Sequence, residues 1–405
     1  MAKRLPIIFI MITVMLDAMG IGLIMPVMPN LLQEVGGGTL ASAAVWGGIL
    51  ATSFAMMQFL FSPMLGRLSD AHGRRPVLLV SLFVMSGYYL VMAVAGSIWL
   101  LMMGRIVGGI TAATHSTAHA YMADISRPED KAANFGLIGA GFGVGFVLGP
   151  MLGGLLAEYG TRAPFYAAAA LAMGNALFGM SVLKETVTEK TRRAFDLRAA
   201  NPFSAFRSIA KLEASVKPLL WVLLLYHLAN VVYPSIWAFF TVARFGWSPE
   251  VIGLSLGVYG ISIAVVQGGL IRPASRYFGD SRTVQIGIII EVIALTLVGL
   301  LSNGWVVMAL IPISALGAIA QPSLQGILSR IAPDDQQGEL QGVLSSIASI
   351  SMVIGPLLMT QVFAVFASPD APLHLPGAPF LLAAVLMAVG GAVFAAIHRR
   401  NRAIA

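Results

Sequence analysis

Runs of about twenty apolar residues recur from one end of this chain to the other, each long enough as a helix to cross a hydrocarbon layer about 30 Å thick. With 58% hydrophobic and 11% charged residues among 405, a soluble globule of two or three domains is excluded. Spans are predicted at 6–32, 43–65, 76–95, 98–122, 131–157, 163–183, 217–242, 250–271, 282–302, 304–327, 337–367 and 377–397. The expected fold class is all-α and integral to a membrane, with twelve transmembrane helices. The run from Leu5 to about Leu32 exceeds a signal-peptide core and lacks a small-residue cleavage site. It is expected to remain as the first helix.

Basic residues orient the spans. Of 25 Lys and Arg, 22 fall on one set of loops, Arg162 and Arg244 on the other, and Arg105 inside a span. The rich side is cytoplasmic by the positive-inside rule, so both termini are expected there. The net charge of +7 follows the membrane and makes no nucleic-acid footprint. Zero cysteines exclude disulfides, iron–sulfur clusters and thiolate metal sites.

The chain also repeats itself. Gly66-Arg-Leu-Ser-Asp70-Ala-His-Gly73-Arg74-Arg75-Pro76 is echoed by Arg272-Pro-Ala-Ser-Arg276-Tyr-Phe-Gly279-Asp-Ser-Arg282, with Gly73 and Gly279 separated by 206 residues. The same offset carries Gly149-Pro150 onto Gly355-Pro356 and Trp99 onto Trp305. A duplicated membrane bundle points to a carrier with its substrate site between the halves. The expected division is a six-helix bundle over 1–183, a cytoplasmic linker over 184–216 and a second, pseudo-symmetric six-helix bundle over 217–405. The linker is expected to act mainly as a tether, with Pro202–Ile209 as a candidate interfacial helix. No extramembrane segment can hold a catalytic domain, and there is no GxxxxGK[ST] phosphate loop, so ATP is not the direct energy source.

Ionisable groups inside spans are few. Asp17 and Glu291 are the carboxylates there, and a charge at a bilayer centre costs about 2.5–3.5 kcal/mol on insertion scales. Such acids commonly carry protons, with a buried structural hydrogen bond as the alternative. Arg105 cannot itself cycle a proton but can hold an acid ionised, and Asp17 is its expected partner. His115 and His119 share a helix face without an acidic third ligand, so no metal site is expected. Gln58, Gln267 and Gln325, with both histidines, are candidates for substrate hydrogen bonds, and interhelical packing bonds explain them equally well. In the fifth span, Gly149, Pro150, Gly153 and Gly154 suit a helix against which another rocks.

These features resemble the major facilitator superfamily, whose signature loop is matched by Gly66, Asp70, Gly73, Arg74 and Arg75 and whose antiporter motif by Gly149-Pro150-x-x-Gly153-Gly154. More narrowly, Leu16-Asp-Ala-Met-Gly-Ile-Gly-Leu-Ile-Met-Pro-Val-Met-Pro29, Arg244-Phe-Gly-Trp247, Leu324-Gln-Gly326 and Gln336-Gln-Gly-Glu-Leu-Gln-Gly342 resemble bacterial tetracycline/proton antiporters. The resemblance implies proton-driven export of a small amphipathic drug across a bacterial inner membrane by alternating access. It implies no cofactor, no enzyme activity, and a monomer whose partners are substrate, protons and lipid. Asp17, Glu291 and Arg105 are then expected in proton coupling. Asp70 and Arg74/Arg75 would form a cytoplasmic latch against helix ends such as Asp124. Three departures stand out: Tyr88 and Ile263 occupy positions where those exporters carry aspartate and histidine, and Ala71 replaces a basic residue. They imply a less polar cavity and tetracycline as a poor substrate. A proton-coupled nutrient symporter of the same fold is the alternative; a membrane enzyme or channel has no supporting motif.

Overall fold

The computed structural model describes all residues except 1–4, 113, 190, 191, 193, 194, 196–200, 204–208, 210, 211, 214, 369, 370, 372 and 405. For 114, 115, 132, 334 and 400–404 it describes the backbone alone. The candidate interfacial helix at 202–209 lies largely outside the described residues.

In chain order the helices are α1 (Leu5–Ile24), α2 (Met28–Gly36), α3 (Leu40–His72), α4 (Arg74–Val94), α5 (Ile98–Thr111), α6 (Thr114–Ile125), α7 (Lys131–Leu156) and α8 (Ala163–Val182). After the linker come α9 (Lys217–Asn230), α10 (Val232–Phe245), α11 (Pro249–Val265), α12 (Ile271–Phe278), α13 (Asp280–Leu300), α14 (Gly304–Ser314), α15 (Ala320–Ile331), α16 (Gln337–Ala367) and α17 (Ala378–Ile404). A π-helical turn (Val266–Leu270) joins α11 to α12, and a 3-10 turn (Ala315–Ile319) joins α14 to α15. Among the described residues, 11 helical runs are long and apolar enough to cross a membrane. The expected span at 98–122 corresponds to α5 and α6, of 14 and 12 residues on either side of residue 113.

Two expected boundaries are corrected. The first run breaks at 25–27 between α1 and α2, because Pro26 disfavours helical backbone before it and Pro29 suits a first turn. The charged segment 66–72, expected as a turn, continues α3 to His72. No proline follows Pro63 in that stretch, and the corner waits for Gly73, whose φ of +113° strains a side chain. Gly279 makes the equivalent corner at φ +75°. At the same 206-residue offset, Ser97 and Asn303 cap α5 and α14, and Trp99 and Trp305 are exposed, as aromatic belts at a membrane boundary require.

The chain forms two compact units, one of 1–38, 53–202 and 248–257 and the other of 39–52, 203–247 and 258–405. In the first, α1 lies along α7 with the backbones nearly touching. A Cβ on Gly141 would come within 2.8 Å of the Met11 carbonyl oxygen, on Gly149 within 3.0 Å of Met19 Cα, and on Gly153 within 2.8 Å of the Leu23 carbonyl carbon. Glycine at every fourth position therefore creates this interface, as in small-residue membrane packing. Asn175 of α8 donates to Thr13 of α1 at 3.0 Å, and Ser86 of α4 to the Ala169 carbonyl of α8 at 2.8 Å. In the second unit α13 packs on α15 and α17. An aromatic cluster of Tyr233, Trp237, Phe240, Trp247 and Phe380 fills the neighbourhood of α10 and α17.

Candidate functional site

The 206-residue sequence repeat does not extend to the interior charges. At the 206-residue offset Asp17 corresponds to Leu223, Arg105 to Ile311, and Glu291 to Met85. Each unit therefore holds its own polar cluster.

In the first unit the cluster is built on α1, α3, α4 and α5. Tyr88 and Tyr89 are 5% and 4% exposed, with ring centroids 4.7 Å apart. The Tyr89 hydroxyl lies against Gly20, one helical turn beyond Asp17. The Tyr88 ring lies against Gly104 and Gly108, which flank Arg105. The charges of Asp17 and Arg105 both act on these two phenols. Arg105 sits over the Phe54 ring, 5.6 Å from its centroid, and its buried Nε lacks a hydrogen-bond partner among the described residues. Arginine on an aromatic face gains from the ring quadrupole while keeping its charge. The expected Asp17–Arg105 ion pair is corrected: the described residues include no such bridge, and Arg105 lies over the Phe54 ring instead.

In the second unit Glu291 is 2% exposed, with Oε2 unpartnered among the described residues. Its charge acts on Tyr226, Tyr233 and Tyr259, and Tyr233 and Tyr259 stack at 5.5 Å. The Tyr233 hydroxyl is likewise buried. The 3-10 turn brings Gly317 against the acid: a Cβ there would stand 2.8 Å from Glu291 Cδ. A buried carboxyl with Gly317 packed against it has few groups with which to share a charge. Phenols can donate to it when it is ionised, and a proton can replace them when it is not.

The other sequence candidates scatter around these clusters. Gln58 donates weakly to the Ala112 carbonyl at 3.5 Å, a packing bond. His119 stacks on Phe135 at 5.7 Å, and the side chain of His115 lies outside the described residues. Gln267 is exposed in the π-helical turn, and Gln325 is half-buried on α15. Ile263 packs against an apolar cluster of Val266, Ala315, Ala318 and Ile319, which explains the absence of a polar group there. Gly154 and Pro150 of α7 meet 249–253: a Cβ on Gly154 would lie 2.6 Å from the Pro249 carbonyl oxygen.

The latch residues do come together. Arg74 pairs with Asp70, donates to Asp124 at 3.3 Å, and donates to Ser69 at 2.7 Å. Arg75 donates to the Met180 carbonyl at 3.1 Å. Gly66 stands open, its carbonyl accepting from Ser69 at 2.8 Å. Glu185, absent from the sequence candidates, accepts from the backbone N–H groups of Arg74 at 2.9 Å and Arg75 at 3.2 Å. Thr186 donates to Asp124 at 2.9 Å. Tyr89, Tyr226, Tyr233 and Tyr259 were also missed, and Tyr88 was noted only as a departure from the family pattern. Their only sequence signal is a polar tip inside an apolar run, which most often marks ordinary packing.

Comparison with known proteins agrees with this architecture. The chain is 43% identical over 362 residues to the class C tetracycline resistance protein of Escherichia coli, covering 89% of this chain and 90% of that one. It is 29% identical to multidrug resistance protein 2 of Bacillus subtilis over 92% of this chain and 90% of that one. A solved bacterial homologue of the human lysosomal transporter Spinster superposes with a TM-score of 0.78 at 16% identity, over 98% of this chain and 97% of that one. The family model of the Major Facilitator Superfamily matches residues 10–273 and 219–403, and the chain belongs to that superfamily.

Proposed function

We propose that the protein exports small amphipathic, drug-like compounds in exchange for protons, by alternating access. Its relatives carry the names of tetracycline and multidrug resistance proteins. The observation that carries the proton half of the reading is Glu291, a buried acid with an unpartnered oxygen. Asp17 is the second proton carrier. Arg105 biases its ionisation through Tyr88 and Tyr89, since a guanidinium does not release its own proton. Each proton moving down 100 mV contributes about 2.3 kcal/mol toward expelling the drug.

The reading extends to topology. The twelfth span is α5 with α6, both termini face the cytoplasm, and the working halves are 1–183 and 217–405 joined by 184–216. The protein lies in a bacterial inner membrane as a monomer. Gly149, Pro150, Gly153 and Gly154 make α7 a surface on which a neighbouring helix rocks, because no side chain intervenes. Gln58, His115, His119, Gln267 and Gln325 offer the drug hydrogen bonds. Everted vesicles carrying the protein should accumulate drug on acidification of their interior and release protons when drug is added. Accumulation only in right-side-out vesicles, driven by inward protons, would replace export with uptake.

A further inference from the structure

The corners at Gly73 and Gly279 use one device twice. In each, the glycine N–H bonds a serine carbonyl four residues back, Ser69 at 3.1 Å and Ser275 at 3.0 Å. Three charges around them are inverted at the 206-residue offset. Asp70 corresponds to Arg276, Arg74 to Asp280, and Asp124 to Arg330. The bridges form nonetheless. Arg74 at the start of α4 pairs with Asp124 near the end of α6, and Asp280 at the start of α13 pairs with Arg330 near the end of α15. The same two helix ends are tied in both units, with opposite polarity.

Helix dipoles favour the polarity of the second unit, which places an acid in the first turn of α13 and a base in the last turn of α15. The first unit has the unfavourable polarity and adds a compensating group: Glu185 supplies the missing negative charge at the N-terminus of α4. One tied helix in each unit carries part of that unit's polar cluster, and the other adjoins it. Glu291 lies 11 residues into α13, about 16 Å along its axis, and Gly317 lies in the 3-10 turn that leads into α15. In the first unit α4 carries Tyr88 and Tyr89, and α5 with Arg105 leads into α6.

We infer that Asp280 and Arg330 are positioning residues for Glu291, forming a clamp that holds α13 against α15 and works with either polarity. Neither residue touches the acid; the clamp acts by fixing the helices that frame it. A merely ornamental surface bridge would leave transport unchanged, and Arg330, at 61% exposure, otherwise suggests one.

The test uses full-length protein in proteoliposomes, reconstituted in equal folded amounts. Asp280→Asn and Arg330→Gln should each lower kcat for export at least threefold with KM changed less than twofold. The double swap Asp280→Arg with Arg330→Asp should recover more than half of the lost kcat. A second readout needs no transport: the chain has no cysteine, so spin labels can be placed uniquely between the start of α13 and the end of α15. That distance distribution should broaden in each single variant and narrow again in the swap. The kcat arm rests on the export reading, and a wild type that fails to export defeats that reading while leaving the distance arm decisive. Unchanged kcat and distances in the single variants would overturn the clamp. Losses that the swap does not recover would overturn its indifference to polarity.

Discussion

Replacing Glu291 by Gln separates the acid's chemistry from its place in the fold. Glutamine conserves volume, and Gly317 leaves room for a side chain of that shape and little more. No hydrogen bond to Oε2 is lost, since none exists among the described residues. The neutral amide also avoids the cost of about 2.5–3.5 kcal/mol for a charge at mid-span. Folded yield should therefore equal or exceed that of the wild type. Coupling should fail instead. One proton under a proton-motive force of 100 mV supplies about 2.3 kcal/mol, and about 1.4 kcal/mol is a tenfold gradient, so its loss lowers the attainable drug gradient about 50-fold. Steady-state drug accumulation and drug-induced proton release, both measured in proteoliposomes under an imposed gradient, read this directly. A Glu291→Gln protein that builds the wild-type gradient and releases as many protons per drug would refute the assignment.

Three further outcomes are expected. Asp17→Asn should insert and fold but lose proton-coupled transport, and drug-driven proton flux at the wild-type rate would remove Asp17 from the proton path. Gly73→Ala meets both a φ of +113° and a Cβ position 2.7 Å from Glu185 Cδ, so it should cost about 1–3 kcal/mol and slow turnover. An unchanged unfolding midpoint in detergent would contradict that. In an efflux-deficient host, expression should raise the minimal inhibitory concentration of tetracycline less than that of a more hydrophobic ring-containing drug. Ile263 packs in an apolar cluster, and Tyr88 stands where the resemblance expects an aspartate, so a polar drug is expected to find fewer charged partners there. A large, proton-dependent rise for tetracycline would show that those two positions do not set specificity.

The membrane class, the 206-residue repeat, the charged motif at 66–75 and the two acids within spans were all legible in the sequence, because each is a local property. Apolar runs must become helices in lipid, a buried acid announces its cost, and a repeat preserves its spacing. The extension of α3 to His72 was harder to read, since charged residues after Pro63 resemble a loop unless the helix-ending glycine is weighed. What the tertiary structure decided is which distant residues share a neighbourhood. Arg105 meets Phe54, Glu185 returns from the linker to the start of α4, and Gly317 closes on Glu291. None of these contacts leaves a periodic trace, since helix packing brings together residues whose separation along the chain is arbitrary. Spacing along the chain therefore determined where helices begin and what they cost to bury, and packing decided which side chains must share a charge.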